Sequence, residues 1–452
     1  MNFSDKKVLV CGVAQSGISS ALLLNELGAE VTIQDIKERE KIKYNLAGLE
    51  EKGIKSYLGK NPDEILEEQD LIIVSPGIPC DLPFFKTAAS FHIPIWGEIE
   101  LAYRICKAKL IAITGTNGKT TTTALVGEIF RKYRSSTEIV GNIGIPFTEK
   151  ARQMKEEDFV IAEISSFQLE TIQHFHPMIS AVLNITPDHL NRHKTFENYV
   201  EIKEKIFLNQ NEKDFLVLNY DDMNCRNMKE KTNSKIIFFS TKEKLEEGLF
   251  LSGNDIVLKT ADTQLKVIDS NELQILGRHN IENALAVIGI AVCAGIPYDI
   301  IRNVLRNFKS LEHRIEYVCT IKNIEFYNDS KGTNTDCAIK SIEAMKRPIV
   351  LIGGGYDKGS DFSDWVKTFE NKVKHIIILG EVADSIIETC KRYNFENYHK
   401  VNSLKDAVEL AFAKSEVGDC VLLSPACASW DMFDSYEQRG TMFKEFVMNL
   451  RG

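Results

Sequence analysis

Residues 111–120 read IAITGTNGKT. Three apolar residues run into a polar turn that ends in Gly118-Lys119-Thr120. The segment after it, TTTALVGEIFRKY, repeats its apolar residues (Leu125, Ile129, Phe130) at helical spacing. Strand, glycine turn, lysine-threonine and helix together make a phosphate cradle. The backbone N–H groups of Gly115, Thr116, Asn117 and Gly118 and the start of the helix, with Thr121, face an anion. Lys119 adds a point charge, and the Thr120 hydroxyl can sit on a magnesium ion that bridges phosphates. The spacing departs from the standard phosphate loop. Ile113 stands where that pattern has its first glycine, so the loop beginning at Gly115 is shorter. The competing reading is a tight turn with a capping threonine, which leaves Lys119 unexplained.

Short Val/Ile/Leu runs alternate with helical patterns along the whole chain, which predicts an α/β fold with mostly parallel sheets. The runs fall into three blocks. KKVLVCG, AEVTIQD and DLIIVSPG lie in the first. AKLIAITG, DFVIAEIS, ISAVLNIT, DFLVLN and SKIIFFS lie in the second. IEFYNDS, PIVLIGGG, HIIILGE and DCVLLSPA lie in the third. The expected domains are a Rossmann-like unit over 1–97, a central phosphate-loop domain over 98–310 and a second Rossmann-like unit over 311–452. Each run ends in a polar residue or glycine, and ligands gather at such carboxyl ends.

Composition narrows the function. The chain has 452 residues, 44% hydrophobic and 26% charged, with a net charge of −9. That balance and the absence of a long basic run argue against a nucleic-acid partner. No apolar run is long enough to span a membrane, and the start shows no signal peptide, so a cytoplasmic protein without membrane insertion is expected. The ten cysteines include no Cys-x-x-Cys pair, which fits reduced thiols better than disulfides or zinc.

Three further features carry chemistry. VLVCGVAQSGISSALLLNELGAEVTIQD is strand, turn, helix and strand, with Asp35 closing the second strand. Its glycines, Gly12 and Gly17, are spaced unlike the dinucleotide fingerprint, so a different nucleotide or a purely structural unit is expected. In the central block, Glu163 follows one apolar run, and Asp188 and His189 follow another. These types suit magnesium or manganese near phosphates. Singly, Glu163 reads equally as a helix cap and His189 as a surface histidine. In TFENYVEIKEKIFLN, Phe196, Tyr199, Ile202, Ile206 and Phe207 share one helical face, and Lys203 projects from its middle. It either snorkels to water or is a desolvated amine able to capture CO₂ as a carbamate.

These motifs resemble those of the ATP-dependent Mur ligases over essentially the whole chain. The resemblance rests on GTNGKTT (115–121), GNIGIP (141–146), EISSFQLE (163–170), HNIENALA (279–286), HR (313–314), NDSKGTN (328–334) and SPACASWDMF (424–433). EISSFQLE, SPACAS and the opening VLVCGVAQSG look like the D-glutamate-adding branch. The activity implied is ATP-dependent amide formation. D-glutamate is joined to UDP-N-acetylmuramoyl-L-alanine through an acyl phosphate, in peptidoglycan precursor synthesis. A monomer is expected.

The same resemblance implies roles. Lys119 and the loop amides hold the ATP phosphates, with Asn280, Asn283, Arg314 and Asp329 at further ATP positions. Thr120 and Glu163 are ligands of a first magnesium ion. His189 and a carbamate on Lys203 are ligands of a second. Gly12, Ser16, Gly17, Asp35, Ser75, Gly77 and Asn142 receive the UDP-sugar. Thr333, Lys358, Ser429 and Tyr436 hold D-glutamate, and Lys331 faces the transferring phosphate. The residues alone leave open a small-molecule kinase that stops at phosphoryl transfer and a non-catalytic nucleotide-binding regulator.

Overall fold

The computed structural model describes residues 2–356 and 359–450. They form an α/β protein of three domains, each built on one mostly parallel sheet. The first sheet holds β1 (Lys7–Cys11), β2 (Glu30–Asp35), β3 (Lys55–Leu58), β4 (Leu71–Val74) and β5 (Ile95–Gly97). Its order is β3-β2-β1-β4-β5, parallel throughout. The chain turns outward on both sides of β1. The crevice between the ends of β1 and β4 is therefore the place where this topology receives ligands.

The central sheet contains β6 (Lys109–Thr114), β7 (Thr137–Gly141), β8 (Phe159–Glu163), β9 (Ile179–Val182), β10 (Phe215–Asn219) and β11 (Lys235–Ser240). It continues through β12 (Gly248–Ser252), β13 (Asp255–Lys259) and β14 (Gln264–Asp269). The order is β14-β13-β12-β11-β10-β9-β6-β8-β7. β6 lies between β8 and β9, with Ile113 opposite both Glu163 and Ala181. That register brings the ends of three strands beside the 115–120 turn. The helix Lys119–Tyr133 covers the sheet through buried Leu125, Val126, Ile129 and Phe130. Phe130 meets Phe159 edge-on at 4.9 Å, and burying such a ring is worth about 2–3 kcal/mol. The β12–β14 extension is antiparallel.

The third sheet is built from β15 (Glu316–Ile321), β16 (Ile324–Asn328), β17 (Ile349–Gly354), β18 (Val373–Leu379), β19 (Tyr398–Lys400) and β20 (Cys420–Leu423), in the order β15-β16-β20-β17-β18-β19. Only β15 pairs antiparallel. Two compact units emerge. Met1–Ser270 with Glu282–Leu305 forms one, and Asn271–Ile281 with Arg306–Gly452 forms the other. All ten cysteines are free. Among the described residues no helix is long and apolar enough to cross a membrane.

Candidate active site

The 115–120 turn is braced by its neighbours. Thr116 N–H donates to Asn184 O at 2.8 Å and Asn117 N–H to Asn184 Oδ1 at 2.8 Å, while Asn184 Nδ2 returns to Asn117 O. Thr116 Oγ1 meets Thr186 O at 3.0 Å and the Tyr199 hydroxyl at 3.2 Å. Gly118 takes φ +85°, and a Cβ there would collide with Asn283 Oδ1, so only glycine fits. Gly118 is also the N-cap of the helix that begins at Lys119, and no side chain caps it. The capping-threonine reading therefore fails. Thr120 and Thr121 lie in the first turn of that helix.

Two lysines converge on this turn. Lys119 Nζ donates to Gly115 O and Thr116 O, both at 2.9 Å. Lys203 Nζ donates to Gly115 O at 2.9 Å and to Thr114 Oγ1 at 3.3 Å. Lys203 does not snorkel: it is 1% exposed and lies over the Tyr199 ring. Burial, and then the nearby charge of Lys119, holds its amine well below the usual lysine range. A desolvated amine with a depressed pKa is partly neutral and nucleophilic.

Glu163 ends β8, buried. Its Oε1 accepts from Asn142 Nδ2 at 2.7 Å, while Oε2 is buried without a hydrogen-bond partner. Ser165, not Glu163, caps the following helix. His189 sits half-exposed at φ +52°, its ring 4.8 Å from Phe167 and its Nε2 3.6 Å from Asp188 Oδ2. A buried carboxylate oxygen lacking a donor is what a cation would satisfy. Carboxylate, hydroxyl and imidazole, the donor types of Glu163, Thr120 and His189, suit magnesium by their chemistry, and a carbamate on Lys203 would replace a repelling ammonium with an anionic donor.

In the first domain, a Cβ on Gly17 would strike Gly12 O, so the helix Gln15–Glu26 packs directly on its own turn. Asp35 Oδ2 accepts from Val13 N–H and Oδ1 from Lys37 N–H, both at 3.0 Å. It therefore shapes the turn with both oxygens. Ser75 Oγ approaches Gly12 O at 3.4 Å, Ser16 O accepts from Ser20 Oγ, and Gly77 faces open space.

In the second compact unit, buried Asp329 follows β16. It accepts from Ser341 Oγ at 2.6 Å, Ser424 Oγ at 2.8 Å and Ile315 N–H at 3.3 Å. Burial pushes its carboxyl up to about 6, against the pull of the two hydroxyls and Arg314. Asn280 donates to Leu276 O at 2.6 Å. Tyr436 opens the helix Tyr436–Asn449; its carbonyl accepts from Ser330 Oγ, and Lys331 Nζ lies 5.0 Å over its ring. Buried Ser429 accepts from Phe433 N–H through its carbonyl, and Thr333 N–H donates to Lys331 O. Lys358 lies outside the described residues.

The structure adds residues that sequence reasoning missed. Asn184 follows the apolar ISAVL run, two residues past the end of β9, and obeys the same strand-end rule as Glu163. Tyr199 adds its hydroxyl, on Thr116 Oγ1, to the apolar ring that its helical spacing announces. Buried Arg439 donates to Ser330 Oγ and O and to Cys427 O. Nothing near it in the sequence announces that, because Ser330 is more than a hundred residues away.

Family models match all three domains. The MurD-like N-terminal domain of Mur ligases covers residues 6–97, the Mur ligase middle domain 113–291 and the Mur ligase glutamate ligase domain 313–427. The chain belongs to the Mur ligase family and is an enzyme of the ligase class. Among its relatives, the UDP-N-acetylmuramoylalanine–D-glutamate ligases of Alkaliphilus metalliredigens and Clostridioides difficile are 47% and 45% identical, over 100% of each chain. The solved UDP-N-acetylmuramate-alanine ligase of Thermotoga maritima shares the fold at TM-score 0.62 and 20% identity, over 98% of this chain and 99% of that one. The MurF ligase of Thermotoga maritima, solved with ADP, does so at 0.61 and 14%, over 99% and 96%.

Proposed function

We propose that the protein joins D-glutamate to the alanyl carboxylate of UDP-N-acetylmuramoyl-L-alanine, consuming ATP, in peptidoglycan precursor synthesis. The observation that carries this reading is the Lys119 ammonium, held on the carbonyls of Gly115 and Thr116 at the phosphate-loop turn. Phosphoryl transfer to a carboxylate brings two anions together, and such positive charge lowers that barrier. The full-length likeness to ligases named for this reaction supports the amino acid.

The alanyl carboxylate oxygen attacks the γ-phosphorus and ADP leaves, giving an acyl phosphate. The D-glutamate amine attacks the acyl carbon. The tetrahedral intermediate then expels phosphate, which carries away one former carboxylate oxygen, and loses a proton to leave the amide. Lys119 and the 115–118 amides hold the phosphates, with Asn280, Asn283, Arg314 and Asp329 at further ATP positions. Asn142, with the Gly12–Gly17 turn and Ser75–Gly77, receives the UDP-sugar. Thr333, Ser429 and Tyr436 bind D-glutamate, and Lys331 faces the transferring phosphate. Magnesium, held by Thr120, Glu163, His189 and carbamylated Lys203, would neutralise phosphate charge when bound.

The test is an amino-acid panel with ATP and the alanyl UDP-sugar, read by product mass and phosphate release. D-glutamate supports an amide product. Turnover with L-alanine or L-lysine instead, or a phosphorylated end product without an amide, rejects the reading.

A further inference from the structure

We infer that Glu98 is a positioning residue for the UDP-sugar, setting the spacing between the Gly12–Gly17 turn and the Gly141–Pro146 loop. The inference rests on the substrate reading above. Glu98 is the first residue of the helix Glu98–Ile105, directly after β5, and is 2% exposed. Its Oε1 accepts from Thr148 N–H at 2.7 Å and from Thr148 Oγ1 at 2.9 Å. Thr148 belongs to the short helix Phe147–Lys150, which continues the loop carrying Asn142. The Thr148 hydroxyl has one hydrogen and gives it to the carboxylate. Its oxygen then takes the contact with Ser19 Oγ at 2.8 Å. Ser19 lies on the helix that opens from the Gly12–Gly17 turn. The carboxylate thus fixes the Thr148 hydroxyl through which the two elements assigned to the UDP-sugar, which come from different sheets, meet at Ser19.

The loop is stiff enough to transmit that placement. Gly141 N–H donates to Ile145 O at 3.0 Å and Asn142 N–H to Glu163 O at 2.8 Å. Gly141 and Gly144 both take positive φ, and a Cβ on Gly144 would approach Ile139 O to 2.8 Å. The loop therefore moves as a piece with the helix that Glu98 holds.

Burying Glu98 carries a cost. Its Oε2 is buried without a hydrogen-bond partner, and burial pushes its carboxyl up to about 6. An uncompensated buried oxygen weakens the fold. Groups that break a local rule in this way concentrate where geometry serves function. Nor is Glu98 needed to anchor its helix. Glu100, two residues on, accepts from the N–H groups of Gln173, His174 and Phe175 and from Arg104.

The experiment is steady-state kinetics of the full chain with the alanyl UDP-sugar, ATP and D-glutamate. Glu98→Ala raises KM for the UDP-sugar by about tenfold or more, while kcat and KM for ATP change by less than about threefold. Glu98→Gln keeps an acceptor for Thr148 and returns the KM to within about threefold of the parent. Thr148→Val, which loses only the hydroxyl link, falls between. Glu100→Gln lowers the melting temperature and leaves this KM unchanged. Should Glu98→Ala fail to fold, the Gln and Thr148→Val variants decide. An unchanged UDP-sugar KM in Glu98→Ala and Thr148→Val, or an equal rise for Ala and Gln, overturns the inference. Absence of turnover by the parent enzyme refutes the substrate reading instead.

Discussion

Lys119 and Lys203 donate to the same carbonyl oxygen, that of Gly115, each at 2.9 Å. Two ammonium groups so close repel each other, and the buried one yields. Burial first, and then this repulsion, lowers the Lys203 amine well below the usual lysine range, so it gives up its proton more readily to the form that reacts with CO₂. In its unmodified form it binds fewer protons when folded than when unfolded. Stability from this group consequently rises with pH, from the depressed folded value up to the ordinary lysine range.

If that amine becomes a carbamate that helps hold magnesium, Lys203→Ala lowers kcat by about 10²–10³-fold or more. Short-chain carboxylic acids added in solution restore part of it. Full activity of the variant without additive would reject the carbamate role.

Glu163→Gln removes the charge while keeping an acceptor for Asn142. The magnesium concentration for half-maximal rate is expected to rise by about tenfold or more. Manganese binding, followed by spin resonance, should weaken in parallel. Unaltered metal binding would remove Glu163 from the ligand set.

Gly118→Ala forces a Cβ into Asn283 at a left-handed φ. A stability loss of about 1–2 kcal/mol is expected from the backbone alone. Because Gly118 belongs to the proposed phosphate cradle, KM for ATP should rise by more than about tenfold. Calorimetry and ATP titration check the two effects separately.

Asp329 has a carboxyl raised from 3.8 to about 6 by burial. Its folded form binds the proton more tightly than its unfolded form. The stability tied to that proton is complete below about pH 4 and is lost as pH rises to about 6. Asp329→Asn, which keeps an acceptor for Ile315 N–H, should escape this loss. Its stability advantage over the parent grows between about pH 4 and 6 and levels off at roughly 2–3 kcal/mol, while ligase activity falls. Parallel denaturant titrations across pH would reveal a flat difference if Asp329 is not the group responsible.

Much of this was legible in the residues. The central apolar runs became β6, β8, β9, β10 and β11 because buried parallel strands are continuous Val/Ile/Leu stretches. The polar residue after each run landed at a strand end, which is why Lys119, Glu163 and Thr116 share one region. Less legible were the short edge strands β3, β5 and β19 and the antiparallel β12–β14 hairpins, whose half-exposed or brief sequences carry little periodic signal. Long-range polar partners were invisible. Arg439 to Ser330, Asn184 to Asn117 and Glu98 to Thr148 are set by packing between distant segments, and no spacing rule encodes them.

The central claim is that the substrate carboxylate is phosphorylated before the amine attacks. Alanyl UDP-sugar labelled with ¹⁸O in its carboxylate tests it directly, with ATP and D-glutamate and mass analysis of the released phosphate. The account predicts that the phosphate acquires one labelled oxygen while the amide keeps the other. Unlabelled phosphate accompanying amide formation would contradict it.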